Sequence, residues 1–309
     1  MRHYTVLRKL GGNEFYCIRS GKGKNATPEG VTEIGSMREA SEIGIDAALI
    51  TNPTSMHVST AAEAAAGGMD LFIEKPLGKD FEGIAELQRV CSDNGTKVLM
   101  GYNFLHHPAI SFMKELVEDG RAGKIISARA QFGTYMPGWH KDEDHKQSYA
   151  ALRDLGGGVV LTSIHEQNYL TDMFGSVSEV KAMETSGNVT GIECEEGVEI
   201  IMKHDSGVLS SVHLNFFQKP YFRTCQIIGT KGTITWNFLE PVVSLMQFEH
   251  TETWKLGKGA FELLDESYER QMRHFIEVVN GEEPPVCGLE DGIRDIKVAL
   301  QILKETGRS

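Results

Sequence analysis

Over the first hundred residues, short apolar runs alternate with amphipathic ones. Residues 5–11 read as the end of a helix stopped by Gly11-Gly12. Residues 14–18 (EFYCI) predict a strand, 38–43 a short helix closed by Gly44, and 47–51 (AALIT) a compact buried strand. An alanine-rich helix is expected over 59–66, ending at Gly67-Gly68, where glycine can take the left-handed cap. A strand at 70–74 (DLFIE), a helix at 81–94 and a strand at 97–102 (KVLMGY) follow. Continuously apolar strands between helices indicate a parallel sheet covered on both faces. The expectation for residues 1–102 is therefore a doubly wound, Rossmann-type α/β dinucleotide-binding domain.

After Tyr102 the texture changes. Residues 108–119 are helical in pattern, and 124–132 (KIISARAQF) alternate like a half-exposed strand. Residues 133–155 form a polar, aromatic-bearing connection of a length that is usually functional. Gly156-Gly157-Gly158 then leads into one predicted helix through Phe174. Alternating segments at 177–184, 196–204, 208–216, 225–229 and 233–238 predict one large, mostly antiparallel sheet. Helices at 268–280 and 289–305 close the chain. Residues 103–309 are thus expected to form an α+β domain for substrate binding and oligomerisation, with the last helix packing back on the first domain.

Composition narrows the partners. Lys and Arg total 31 against 43 Asp and Glu, a net charge of −12, which disfavours nucleic acid and favours a small-molecule partner. The five cysteines (Cys17, Cys91, Cys194, Cys225, Cys287) are scattered and form no ligand-spaced cluster, so neither a disulfide framework nor a structural zinc is indicated. No apolar run approaches the ~18 residues of a membrane span, and MRHYTVLRKLGG lacks the apolar core of a secretory signal. A reducing cytoplasm is the expected location.

Five elements occur in order: Asn52-Pro53-Thr54-Ser55-Met56-His57, Glu74-Lys75-Pro76, Gly156-Gly157-Gly158 with His165-Glu166, Gly229-Thr230-Lys231-Gly232-Thr233, and Pro284-Pro285 with Glu290-Asp291-Gly292. With them the chain resembles the glucose–fructose oxidoreductase / inositol dehydrogenase (Gfo/Idh/MocA) family over nearly its whole length. The loop YMPGWHKDEDHKQSYAALRDLGGGV is similar to a subgroup associated with surface-polysaccharide and sialic-acid-type sugars. The resemblance implies an NAD(P)-dependent oxidoreductase acting on a sugar, sugar nucleotide or cyclic polyol. Lys75 would stabilise the alkoxide that develops as hydride leaves carbon, next to a Lys-Pro bond that is commonly cis in the family. His165 would be the acid/base, a role suited to its ordinary pKa of ~6.5. Thr162 one turn before it and Tyr169 one turn after share its face. Glu166 either orients the histidine, holds a sugar hydroxyl or supports the helix start.

Arg19, Ser20, Thr51, Asn52, Pro53, His57, Glu74, Lys75 and Asn103 are expected around the cofactor, and Trp139, Tyr149, Thr162, Glu166 and Asn168 around the substrate. Tyr135, Trp139, His140, His145, Tyr149 and Arg153 combine ring faces with hydrogen-bonding groups, which suits a sugar. His140 and His145, with Asp142, Glu143 and Asp144 between them, lack i, i+4 spacing, and no metal is expected there. The chain departs from the family pattern at Thr162 and Asn168, where carboxylates are usual, and at Asn103-Phe104-Leu105-His106, which lacks an arginine.

The largest departure is the absence of G-x-G-x-x-G, whose glycines bring pyrophosphate to a helix N-terminus. Residues 2–10 align with the helix that follows that loop. Either the strand and loop lie upstream, or the strands at 14–18 and 47–51 close up and pair; in the first case this chain alone is expected to bind NAD(P) weakly. Arg19-Ser20, followed by Lys22 and Lys24, mildly favours NADP, against the alternative of a solvated basic turn. A glycoside hydrolase that uses nicotinamide transiently, and a degenerate member without redox activity, are the competing functions. A homodimer or homotetramer is expected through the open face of the large sheet, to which Val198, Ile200, Leu209 and Val212 are assigned.

Overall fold

The computed structural model describes residues 2–12, 14–19, 26–139, 144–185 and 187–308. Helix α1 (Arg2–Leu10) precedes strands β1 (Phe15–Ile18) and β2 (Val31–Ile34), which pair in parallel. Helix α2 (Met37–Ile43) is capped by Ser36, whose hydroxyl accepts from Glu39 N, and is stopped by Gly44 in the left-handed region. Strands β3 (Ala47–Ile50), β4 (Asp70–Glu74) and β5 (Val98–Gly101) form a second parallel ladder, with helices α3 (His57–Ala66) and α4 (Ile84–Asn94) as crossovers. Among the described residues β1 and β3 are not paired, so the direct closure of those two strands does not occur.

Alternate residues of the second ladder enter different cores. Ile50, Leu71, Ile73, Val98 and Met100 pack in the main cluster. Phe72 and Leu99 join Leu7 of α1 with Met272 and Phe275 of helix α8 (Ala260–Asn280). The sheet is therefore buried on both faces, as its unbroken apolar strands predict. Helix α8 begins eight residues earlier than its apolar pattern suggests, because its buried stripe is interrupted by Ser267 and Gln271.

The second sheet has eight strands. They are β6 (Ile125–Tyr135), β7 (Val177–Glu184), β8 (Gly197–His204), β9 (Leu209–Asn215), β10 (Phe217–Gly229), β11 (Thr233–Asn237), β12 (Val242–Met246) and β13 (Thr251–Lys255). The order is β13-β12-β11-β10-β6-β9-β8-β7, antiparallel except for the β6–β9 pair. Helix α5 (Pro108–Glu118) packs on β12, and two helices expected as one, α6 (Val159–Thr162) and α7 (His165–Phe174), pack on β8 and β9 and on β6 and β9. The last helix, α9 (Leu289–Glu305), touches both β5 and β7. No helix among the described residues is long and apolar enough to cross a membrane.

The expected composition of the open sheet face needs correction. Val198, Ile200 and Val212 are at most 1% exposed and point toward the packed side, whereas Leu209 is 49% exposed. Residues an odd number apart on a strand face opposite sides, so Leu209 and Val212 cannot share one. The outward row carries Glu199, Lys203 and His213 with Ile201, Leu209 and Met183, and is more polar than expected.

Asp295 of α9 is completely buried, and its carboxylate accepts from Asn168 Nδ2 at 2.7 Å. Burial pushes its pKa up from 3.8 to about 7 against the hydrogen bond and Arg294. The folded state therefore holds this proton more tightly than the unfolded chain. The contribution is fully present below pH 3.8 and is lost as pH rises through 7. At ~1.4 kcal/mol per pKa unit the loss is on the order of 4 kcal/mol. Asp295→Asn should thus gain melting temperature relative to the parent between pH 5 and pH 8. A difference that stays constant across that range in calorimetry would contradict the assignment.

Candidate active site

The carboxyl ends of β3 and β4 open into a cavity of about 330 Å³ lined by Thr51, Asn52, Pro53, Thr54, His57, Glu74, Lys75 and Tyr149. Such strand ends are where open α/β sheets bind ligands. Its walls are braced by His57, which is 2% exposed. One ring nitrogen lies 2.7 Å from Pro76 O and the other 2.9 Å from Asn52 O, so the ring ties the turn after β3 to the turn after β4. Burial lowers the His57 pKa, and a neutral ring donates to one of the two carbonyls. The Asn52 amide donates to Thr60 at 2.8 Å, while its Oδ1 is buried without a partner at the cavity.

Lys75 follows β4, and its bond to Pro76 is cis. Its ammonium donates to the carbonyl of Thr162 at 2.7 Å. That carbonyl is available because the chain kinks at Ser163, between α6 and α7, so the expected single helix is broken where Lys75 arrives. Glu74 faces the other way: its Oε2 accepts from Lys75 N at 3.1 Å, and its Oε1 lies 2.6 Å from His3 Nε2. Burial works to raise the Glu74 pKa, and His3 and then Lys75 outweigh it, leaving the carboxylate ionised.

His165 opens α7 and is 8% exposed, with Nδ1 buried and unpartnered. Its ring meets Phe104 at 5.0 Å and Tyr102 edge-on at 6.1 Å. Burial, then the charges of Lys75 and Arg223, hold its pKa well below 6.5, so the imidazole is neutral at ordinary pH. The arrangement thus places one cation, Lys75, in the wall of a cavity at a sheet's carboxyl edge, and a neutral imidazole, His165, outside the lining residues but within reach of the Lys75 charge.

The other anticipated residues divide. Thr51, Asn52, Pro53, Glu74 and Tyr149 line the cavity. Asn103 is 2% exposed, and its amide donates to Ser267 of α8 at 2.9 Å. Asn168 is committed to Asp295, and Glu166 is paired with Arg223 at 2.8 Å. Trp139 donates to Thr134 at 3.0 Å and packs on Phe216. Arg19 donates to Thr27 at 3.2 Å and lies 3.9 Å from Glu33. Ser20, Lys22, Lys24, His140, Asp142 and Glu143 lie outside the described residues. His145 faces Thr190 O at 2.8 Å, on the segment that precedes β8.

Gly156 shows why glycines lead into this helix pair. With φ +83°, a Cβ there would also lie 2.8 Å from the Thr54 Cβ, where the two halves of the chain meet. Sequence reasoning missed Arg223, which occupies an inward position of β10 in a run, YFRTC, without any motif.

Residues 21–102 match the family described as "Oxidoreductase family, NAD-binding Rossmann fold", and residues 110–235 match "GFO/IDH/MocA C-terminal domain". The chain belongs to the Gfo/Idh/MocA family. One relative is a 1,5-anhydro-D-fructose reductase of Ensifer adhaerens, 24% identical over 295 residues, 94% of this chain and 84% of that enzyme. Another is a levoglucosan dehydrogenase of Pseudarthrobacter phenanthrenivorans, 24% identical over 61% of this chain and 54% of that enzyme. The solved structure of a levoglucosan dehydrogenase in complex with NADH and levoglucosan superposes with a TM-score of 0.75. It is 18% identical and covers 90% of this chain and 83% of that one, a likeness of fold. This Gfo/Idh/MocA chain thus pairs a parallel NAD-binding-type sheet with a large, mostly antiparallel one.

Proposed function

We propose that this chain is an NAD(P)-dependent oxidoreductase that moves hydride to or from a hydroxyl-bearing carbon of a sugar or cyclic polyol. The observation that carries the reading is Lys75 in the wall of the cavity at the ends of β3 and β4, with His165 near enough for the Lys75 charge to act on it. The residues present fit the nicotinamide end of the cofactor: Asn52 Oδ1 is a buried acceptor without a partner, and Lys75 supplies a cation. When bound, the nicotinamide supplies the hydride acceptor or donor.

The chain's own groups handle charge and proton. Lys75, oriented by Thr162 O, stabilises negative charge on the reacting oxygen. His165, neutral and with Nδ1 unpaired, takes the hydroxyl proton in oxidation or returns it in reduction. The half-exposed Tyr149 at the cavity rim offers a ring face to a sugar. The choice between cofactors rests on Arg19, a cation at the end of β1 that favours the 2′-phosphate of NADP where it releases Thr27 and Glu33. The sugar or polyol class follows the relatives, and the reducing cytoplasm is the setting that the free cysteines suit.

A panel of anhydrosugars, aldoses and cyclitols, read by nicotinamide absorbance, tests the reading. On any active substrate Lys75→Ala should lower kcat by roughly 10²–10³-fold. An unchanged kcat in that variant would rule Lys75 out.

We further propose a homo-oligomer through the outward face of the eight-stranded sheet, where Met183, Ile201 and Leu209 are exposed among polar neighbours. Sedimentation at micromolar concentration should give a multiple of 34.2 kDa, and a monomer would refute it.

A further inference from the structure

Arg223 sits where β10 otherwise turns apolar residues inward, next to Cys225 and Ile227. It is 6% exposed, and its partner Glu166 is fully buried, with Nε and Oε1 2.8 Å apart. The guanidinium carbon lies over two rings, 4.1 Å from the Phe104 centroid and 4.4 Å from that of Phe132. A buried ion pair of this kind contributes little net stability, because desolvation offsets the attraction, and well-packed apolar residues usually replace one without loss. Here both flanks are already aromatic, so packing alone does not call for an arginine.

Position supplies the missing reason. Phe104, which carries Arg223, also packs against the ring of His165, and Glu166 is the residue after His165. We propose that Arg223 is a positioning residue for His165, locking the imidazole against Phe104 and keeping a fixed positive charge beside it. The proposal rests on the reading of His165 as the acid/base. The groups around His165 are Lys75 after β4, Arg223 on β10 and the rings of Tyr102 and Phe104, with Glu166 paired to Arg223 and Asp295 of α9 beyond Tyr102. The two cations and burial together disfavour imidazolium. A proton that reaches His165 is therefore held loosely and passed on, which suits a group that must reset every turnover.

The test reads His165 directly. Protein labelled with ¹⁵N-histidine is titrated by two-bond ¹H–¹⁵N spectra, with His165→Gln assigning the resonance. In the parent the ring should stay neutral at pH 6.5 and below. In Arg223→Gln, which removes the cation and keeps an amide donor for Glu166, the midpoint should rise by about one pH unit, as expected for loss of a nearby cation. If that variant does not fold, the double variant Arg223→Met/Glu166→Gln, which leaves neither charge alone, should still raise the midpoint, by less, because loss of the Glu166 anion offsets part of the effect. Arg223→Lys should retain the low midpoint. A parent ring that titrates at 6.5, or a midpoint that does not move when the cation is removed, overturns the proposal. Turnover is a separate readout: His165→Gln with parental kcat would sink the acid/base reading and leave the electrostatic result standing.

Discussion

The 2.7 Å hydrogen bond from the Lys75 ammonium to the Thr162 carbonyl joins the two halves of the chain at the point where chemistry is proposed. It requires β4 to end at the cavity, the turn after it to be held by His57, and a carbonyl to be released by the kink between α6 and α7. Each requirement traces to local physics. The apolar strand DLFIE is buried on both faces and sets where Lys75 emerges. Gly156 lets the second half approach Thr54 closely, on the segment that leads to Thr162.

Helix α7 is the second determinant. Its residues from His165 to Thr171 are all buried, although most are polar. Such groups are costly unless partnered, and part of that polarity is met from distant segments: Arg223 for Glu166, the Asp295 carbonyl for Gln167 and the Asp295 carboxylate for Asn168, while His165 Nδ1, Asn168 Oδ1 and Thr171 Oγ1 stay buried without a partner. Polar neighbours thus lock the helix that carries His165, which favours a single orientation over maximal stability.

Much of this was legible in the sequence. Apolar runs of four or five residues between helices predicted the parallel sheet, and period-two alternation predicted the second, mostly antiparallel sheet. Lys75 and His165 stood in recognisable motifs. Three features were not legible, each for a stated reason. β2, β12 and β13 are only four or five residues long and only half-buried, so their periodicity is weak. The break in the helix after Gly158 depends on a partner, Lys75, that lies 87 positions away in sequence. Arg223 reads as an ordinary strand cation until folding brings Glu166, Phe104 and Phe132 around it. The side-chain amides of Asn103 and Asn168, expected at the cofactor and the substrate, donate inside the fold, to Ser267 and Asp295 of the last two helices, which local sequence does not reveal.

The central claim is that the reacting hydroxyl sits between Lys75 and His165. A crystal structure with NADH and an inert analogue of a turned-over sugar tests it most directly. The account predicts one sugar oxygen within ~3.2 Å of both Lys75 Nζ and a His165 ring nitrogen, the reach of a hydrogen bond. A sugar bound with neither side chain in contact, or with Lys75 still turned wholly to Thr162 and away from the ligand, would contradict it.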